Sequence, residues 1–314
     1  MAGSLTTRRL SADDVPAALE VMRLALGESQ ILQRTPELFA WKHFDNPFGE
    51  SISLVAESDG SMAGLRTFMR WDLDTASGER VRCVRAVDTA THPDYRRQGI
   101  FRRLTEEAIE IAREEGIDLV FNTPNEQSKQ GYLSMGWVDV GPIGAMVRPS
   151  WRMVRIGGSS ATSFEEPIHP IQEDSEIDVT NRQPLGLRTP RTRSYIQWRF
   201  GSHPRARYGT VADEDGRAIV RSNSRKGRPE LVIADLFGRA GRALRTALKS
   251  TNADYAASWF AKGTPERAVA MRAGLIPLPG VKALNLVARP LRELSVDVSR
   301  LESWDTAVSD FELL

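Results

Sequence analysis

The sequence predicts a mixed α/β protein in which one fold is used twice in tandem, the second copy degenerate. Three observations carry that expectation: the order in which strand and helix patterns follow one another through the first 150 residues, a loss of periodicity beyond Pro149, and a set of short segments that return in the second half.

Composition sets the frame. A chain of 314 residues is long enough for two cores of ordinary size. Lys and Arg number 42 against 41 Asp and Glu, a net charge of +1, so no global field argues for nucleic acid or a membrane surface as partner. The single Cys83 falls in a predicted strand and cannot form an internal disulfide; it reads as a small buried hydrophobe, with a nucleophile as the other reading. A reducing, cytoplasmic location is expected. The first twenty residues hold Arg8, Arg9, Asp13, Asp14 and Glu20 with no apolar signal-like run, and no stretch has the length of a membrane helix. A chain neither exported nor membrane-spanning is expected.

In order, Leu5 to Leu10 predicts a strand, and Ser11-Ala-Asp-Asp14 is a capping-box-like start for a helix to about Leu26. Thr35-Pro36-Glu37 starts a second helix to about Asp45, with Pro at its first position. Strands follow at about Ser51 to Glu57 and Met62 to Leu73 around the hairpin signal Ser58-Asp59-Gly60-Ser61. Arg80 to Thr91 is a strand, Gly99 to Glu115 a helix, and Asp118 to Asn122 a short apolar strand suited to a parallel pairing. A helix from about Glu126 to Met135 and a strand from Trp137 to Val147 complete the unit. The order is β-α-α-β-β-β-α-β-α-β.

The stretch from Val87 to Leu104 is where this order points to chemistry. Val87, Thr89 and Thr91 alternate with Asp88 and Ala90 at the period of a strand, and Pro93 ends it. From Gly99 onward Ile100, Leu104, Ala108 and Ile111 recur at helical spacing. Between them lies the basic turn Arg96-Arg97-Gln98-Gly99. A turn entering a helix aims unpaired N–H groups and the positive end of the helix dipole at one spot, which suits a phosphate. Gly99 lets backbone approach it, and Arg96 and Arg97 add charge-assisted donors. The other reading is an ordinary solvated turn.

Pro93-Asp-Tyr-Arg-Arg-Gln-Gly-Ile-Phe101 resembles the pyrophosphate-binding segment of the GCN5-related N-acetyltransferase (GNAT) superfamily, Arg/Gln-x-x-Gly-x-Gly/Ala. Arg96 and Gly99 match; Phe101 departs from the small last residue. A second segment, Asn122 to Trp137, is similar to the superfamily's Asn-x-x-Ser-x-x-x-Tyr-x-x-x-Gly-Phe, with Asn125, Ser128, Tyr132 and Gly136 at matching spacing. The element order is also that of the superfamily's fold.

The resemblance implies two tandem acetyltransferase-like domains and an N-acetyltransferase that uses acetyl-CoA as cosubstrate, without a metal, to acetylate an amine by direct attack in a ternary complex. It implies that Ala90, Thr91, Arg96, Arg97, Gln98, Gly99, Ile100, Phe101, Asn125 and Ser128 bind the cosubstrate, with the amides of Ala90 and Thr91 on pantetheine and the thioester carbonyl. Tyr132 falls where the family places the acid that protonates the leaving thiolate, a role a phenol suits; an amphipathic aromatic closing a helix is the alternative. Asp88 stands where the superfamily often carries a base, and reads equally as a structural carboxylate. His92 is a second candidate base, though a residue before Pro usually serves the turn. The acceptor is left open among small-molecule amines, aminoglycoside-like antibiotics and protein amines. A non-catalytic CoA-sensing or protein-binding module is the competing class.

From Gly157 to about Pro184 the chain is rich in Gly, Ser, Pro, Glu and Asp and reads as a linker. The expected division is 1–150, a cosubstrate-binding domain; 151–184, linker; 185–290, a degenerate copy; and 291–314, a tail that packs back. The repeat supports it. Trp41 and Pro47 return as Trp198 and Pro204, Asp59-Gly60 as Asp215-Gly216, Met135-Gly-Trp137 as Ala273-Gly-Leu275, and Val147-Arg-Pro149 as Ala288-Arg-Pro290. The second copy keeps only Gly238-Arg-Ala-Gly241 of the basic turn and has no counterpart of Tyr132. It is expected to be scaffold and acceptor-side wall, with a phosphate at Gly238 to Gly241, supported by Arg239, Arg242 and Arg245, as the alternative. Leu314, the last residue, is an outside candidate for the base, since some tandem members of the superfamily use a terminal carboxylate.

Overall fold

The computed structural model describes residues 5–28, 33–150, 166–172, 177 and 182–311, with backbone alone for 279–283. The first half runs β1 (Thr6–Arg9), a short 3-10 turn, α1 (Val15–Leu26), α2 (Pro36–His43), β2 (Ile52–Ser58), β3 (Ser61–Asp74), β4 (Arg80–Thr91), α3 (Ile100–Glu114), β5 (Leu119–Asn122), α4 (Glu126–Leu133) and β6 (Val138–Pro149). The predicted order is present. So are its local causes: the Ser11 N–H and hydroxyl both donate to the Asp14 carboxylate, at 2.7 and 2.8 Å, and Thr35 Oγ1 accepts from the Leu38 amide at 3.2 Å to start α2. Asp59 and Gly60, with φ of 51° and 77°, form the two-residue hairpin turn between β2 and β3.

The second half runs β7 (His169–Pro170), α5 (Arg193–Ile196) continuing as a π-helical turn to Gly201, β8 (Tyr208–Ala212), β9 (Gly216–Arg225), β10 (Arg228–Gly238), α6 (Gly241–Lys249), β11 (Tyr255–Ser258), α7 (Pro265–Arg272) and β12 (Ile276–Pro290). All strands join one sheet in the order β1-β2-β3-β4-β5-β12-β6-β11-β10-β9-β8-β7. Among the described strands, only β4 with β5 and β10 with β11 are parallel.

The last strand of each half is exchanged. The sequence reading has β6 complete the first unit, but β12 lies against β5, while β6 pairs with β12 and with β11 of the second half. The registers are matched: Pro290 faces Leu119 and Arg289 faces Val120, as Pro149 faces Tyr255 and Arg148 faces Ala256. Both strands carry the same Arg-Pro end, so each fits the other's place. The exchange leaves no inner edge of the sheet open.

Helices α1 and α2 cover one face of the first half, α3 and α4 the other. Ile100, Leu104, Ala108, Ile109 and Ala112 form the buried stripe of α3 against β2 and β3. A third core spans the two halves and holds Trp41, Trp71, Tyr195, Trp198, Phe200 and Trp304. The tail belongs to it: Trp304 and Phe311 are buried, Asp305 lies between Arg182 and Arg188, and Asp310 pairs with Arg191. Within the expected linker, β7 pairs with β8, and Ile168, Ile171 and Ile177 are buried. Residues 151–165, 173–176 and 178–181 of that stretch, and Leu314, lie outside the described residues.

Candidate functional site

Strands β4 and β5 pair only over Cys83–Arg85 and Leu119–Phe121. Beyond that point β4 is bulged. Ala90 faces Leu65 and Val87 faces Thr67, so Asp88 and Thr89 share the place opposite Arg66, and Asp88 takes a left-handed φ of 43°. The bulge turns the end of β4 away from β5, and a cleft of about 570 Å³ opens between the end of β4, α1, the start of α3 and α4. It is lined by Ala25 and Leu26 of α1, Thr89 to Thr91, Arg96, Phe101, and Asn125, Gln127, Ser128, Gly131 and Tyr132.

The structure brings most of the predicted residues to this cleft. Ala90, Thr91, Arg96, Phe101, Asn125, Ser128 and Tyr132 line it. At its mouth Arg97 and Gly99 have positive φ, 64° and 75°, and lead into α3. Arg97, Gln98 and Gly99 are exposed and do not line the cleft itself. Arg96 donates from Nη2 to the Ala25 carbonyl at 3.1 Å, tying the turn to α1. Ile100 faces the core, close enough to Gly64 that a Cβ there would stand 2.9 Å from Ile100 Cγ2. Asn125 Oδ1 caps α4, accepting from the Ser128 amide at 2.8 Å and its hydroxyl at 2.9 Å. His92 Nδ1 accepts from the Asp94 amide at 3.3 Å, the turn-forming role its position before Pro93 suggests.

Phe101 explains its own departure from a small residue. Its ring packs on Gly131 of α4, where a Cβ would lie 3.1 Å from Phe101 Cε1, and meets Tyr132 edge-on at 5.4 Å between centroids. The bulk gained on α3 is matched by bulk lost on α4.

Tyr132 is the buried residue of α4. Its hydroxyl accepts from Arg66 Nη1 at 2.7 Å, and the same nitrogen donates to Thr89 Oγ1 in the bulge. Arg66 was not among the residues the sequence singles out. It is fully buried, with its guanidinium carbon 4.8, 5.1 and 5.5 Å from the ring centres of Phe68, Tyr132 and Phe101.

Asp88 lies on the other face of the sheet. Its carboxylate accepts from Lys42 Nζ and His43 Nε2, each at 3.0 Å, and His43 Nδ1 faces Ser51 Oγ at 2.9 Å. Burial alone would raise the Asp88 carboxyl, but the Lys42 ammonium and the His43 ring outweigh it and hold it well below the usual carboxylate range. Such a carboxylate is a weak proton acceptor. Its partners fix the bulge from the side away from the cleft.

The second half has the same bulge, between Ile233 and Asp235 of β10, without the same opening. The hairpin before β9 fills the space ahead of α6: the Arg239 amide donates to the Asp215 carbonyl at 2.8 Å, and a Cβ on Gly238 would lie 2.7 Å from that oxygen. Arg239 pairs with Asp215 and Arg242 with Glu214, so both are already engaged by carboxylates. Among the described residues no group of three or more His, Cys, Asp or Glu is placed to hold a metal, and no helix is long and apolar enough to cross a membrane.

Splayed parallel strands, a glycine-ended basic turn into a helix, and a buried phenol meet at this cleft. The family profile described as acetyltransferase (GNAT) domain matches residues 6–139. A structure titled GCN5-related N-acetyltransferase from Kribbella flavida superposes with a TM-score of 0.64 at 14% identity, over 92% of this chain and 71% of that one. A GCN5-related N-acetyltransferase from Anabaena variabilis gives 0.62 at 13% identity, over 92% and 73%. A tandem GNAT protein from the clavulanic acid biosynthesis pathway gives 0.55 at 16% identity, over 93% of this chain and 100% of that one. At these identities the likeness is one of fold. A search of curated proteins found no match. Residues 6–139 are thus similar to the GNAT acetyltransferase domain, the fold is the one these structures share, and the second half repeats it.

Proposed function

We propose that the chain is an N-acetyltransferase that takes the acetyl group of acetyl-CoA and passes it to an amine by direct attack in a ternary complex. The observation that carries this reading is the cleft at the splayed end of β4, with the α3 N-terminus at its mouth and Tyr132 of α4 lining it.

In this reading the amides of the Arg97–Gly99 turn and the Arg96 guanidinium take the pyrophosphate. The free edge of β4 at Ala90 and Thr91 pairs with pantetheine and polarises the thioester carbonyl. The amine nitrogen bonds to the carbonyl carbon, the C–S bond breaks, and Tyr132 gives its proton to the departing sulfur. The amine proton leaves through water; Asp88, held by Lys42 and His43, serves to keep the bulge that presents β4.

The test is thiol release on mixing the chain with acetyl-CoA and a panel of amines, beside calorimetry with acetyl-CoA alone. Binding and amine-dependent release are expected, and Tyr132→Phe should lower turnover about a hundredfold with acetyl-CoA affinity nearly unchanged. Failure to bind acetyl-CoA would overturn the reading, and unchanged turnover would remove Tyr132 from the acid role.

A further inference from the structure

Arg66 has no place in the functional reading so far, yet it is an unusual residue for its position. It lies in the middle of β3, fully buried, among Phe68, Phe101 and Tyr132. Among the described residues it forms no ion pair, and its Nε and Nη2 have no hydrogen-bond partner. Its one engaged nitrogen, Nη1, donates to two oxygens, Thr89 Oγ1 in the bulge and the Tyr132 hydroxyl at 2.7 Å.

A buried cation without an anion is expensive, and three aromatic faces compensate it only in part. The apolar residue two places along on the same face of the strand, Phe68, shows what would fill this space if packing alone were at stake. The cation is kept at the point where negative charge appears during acyl transfer, first on the sulfur and then on the phenol that has protonated it.

Resting on the acetyltransfer reading above, we propose that Arg66 is the positioning residue for Tyr132: by donating to the phenol oxygen it leaves the phenolic proton directed into the cleft, and it balances the phenolate once that proton has gone to the sulfur. The balance is complete. The C–N bond forms, the C–S bond breaks with its electron pair on sulfur, the sulfur takes the Tyr132 proton, and the phenolate regains one from water. Arg66 acts through Tyr132 and does not touch the substrate. Thr89 fixes Nη1 from the other side, so the bulge that opens the cleft also sets the guanidinium.

The experiment is a double-mutant cycle on the full chain, Arg66→Met and Tyr132→Phe, read as turnover by thiol release and as acetyl-CoA affinity by calorimetry. Arg66→Met in the wild-type background should lower turnover about tenfold to a hundredfold, with acetyl-CoA affinity within about twofold. In the Tyr132→Phe background it should lower turnover by less than about twofold, because the group it acts through is gone. Arg66→Lys, which keeps the charge and loses the fork, should fall between wild type and Met, and it carries the test if the Met variant does not fold. An equal loss from Arg66→Met in both backgrounds, or a loss of affinity in step with turnover, would reduce Arg66 to packing. A wild-type chain that binds acetyl-CoA yet releases no thiol with any amine would instead overturn the acetyltransfer reading.

Discussion

Trp41 and Trp198 each donate the indole N–H to the other's backbone carbonyl, at 2.9 and 2.8 Å, with their rings stacked 4.4 Å apart and 12° from parallel. They are the two tryptophans of the sequence repeat. A residue of one copy meeting the same residue of the other marks a two-fold relation between the halves. The same relation pairs Gly136 with Arg289 and Gly274 with Arg148, the two glycines having φ of 88° and 93°.

Trp41→Phe would leave the buried Trp198 carbonyl without its donor and thin the stack. A loss of about 2 kcal/mol in unfolding free energy is expected, and much the same for Trp198→Phe. The double variant should lose less than the sum, since either change alone already breaks the stack. Urea unfolding of the three variants checks this; strictly additive losses would mean that the two rings do not act together.

At the mouth of the cleft, Gly99 has a φ of 75° and no atom within 4 Å of a Cβ placed on it. Gly99→Ala therefore meets backbone strain alone, about 1 kcal/mol, while Gly99→Asp adds a carboxylate where phosphate charge is expected. Calorimetry should show Ala weakening acetyl-CoA binding severalfold at most and Asp weakening it more than about tenfold. Equal affinities for the Asp variant and wild type would mean that the phosphates lie elsewhere.

Gly131→Ala sets two effects against each other. Alanine favours the α4 helix by about 1 kcal/mol over glycine, but its methyl would stand 3.1 Å from Phe101 Cε1, in a ring already packed on Tyr132. Thermal stability should change little and acetyl-CoA affinity should fall, because Phe101 would move into the cleft it lines. Phe101→Leu in the same chain should restore affinity; no restoration would place the fault in α4 itself.

Stability should fall as pH drops below about 6.5, the unperturbed histidine value. Burial pushes the His43 ring below that value, although Asp88 acts in the other direction, so the unfolded chain takes a proton there before the folded chain does. The Asp88 contribution has the same sign at lower pH: it is present above about 3.9, the unfolded carboxylate value, and is lost as pH falls toward the folded one. His43→Gln keeps a donor for Asp88 without titrating near neutrality. The melting-temperature advantage of wild type over this variant should be larger at about pH 7.5 than at about pH 5.5; a constant difference would clear His43 of the effect.

Much of this molecule can be read from local signals. Strand β4 was legible to the residue, from Arg80 to Thr91, because β-branched alternation ends at a proline. The basic turn, the Asn125 cap and Tyr132 were legible because their spacing is local. Arg66 was not, for a physical reason: between Leu65 and Thr67 it looks like the polar position of a half-solvated strand, and only the cover of α3 and α4 makes it a buried cation. Lys42 and His43 likewise look like the basic end of a helix, and nothing in α2 announces that they close on Asp88 across the bulge. The exchange of β6 and β12 was hidden by the repeat itself, since two strands of like pattern and like ending fit either place.

That exchange has a consequence for how the chain holds together. Were the halves separate molecules, trading final strands would make them a swapped pair whose closure depended on how often they met; one covalent chain replaces that encounter with a fixed local concentration. Neither half is then a self-sufficient unit: residues 1–150 made alone would leave the side of β5 that takes β12 uncovered, and the two pieces made together should find each other as an obligate heterodimer. The second copy can vary its turn and its helices widely, provided it continues to deliver β12, the strand on which the first copy's sheet closes.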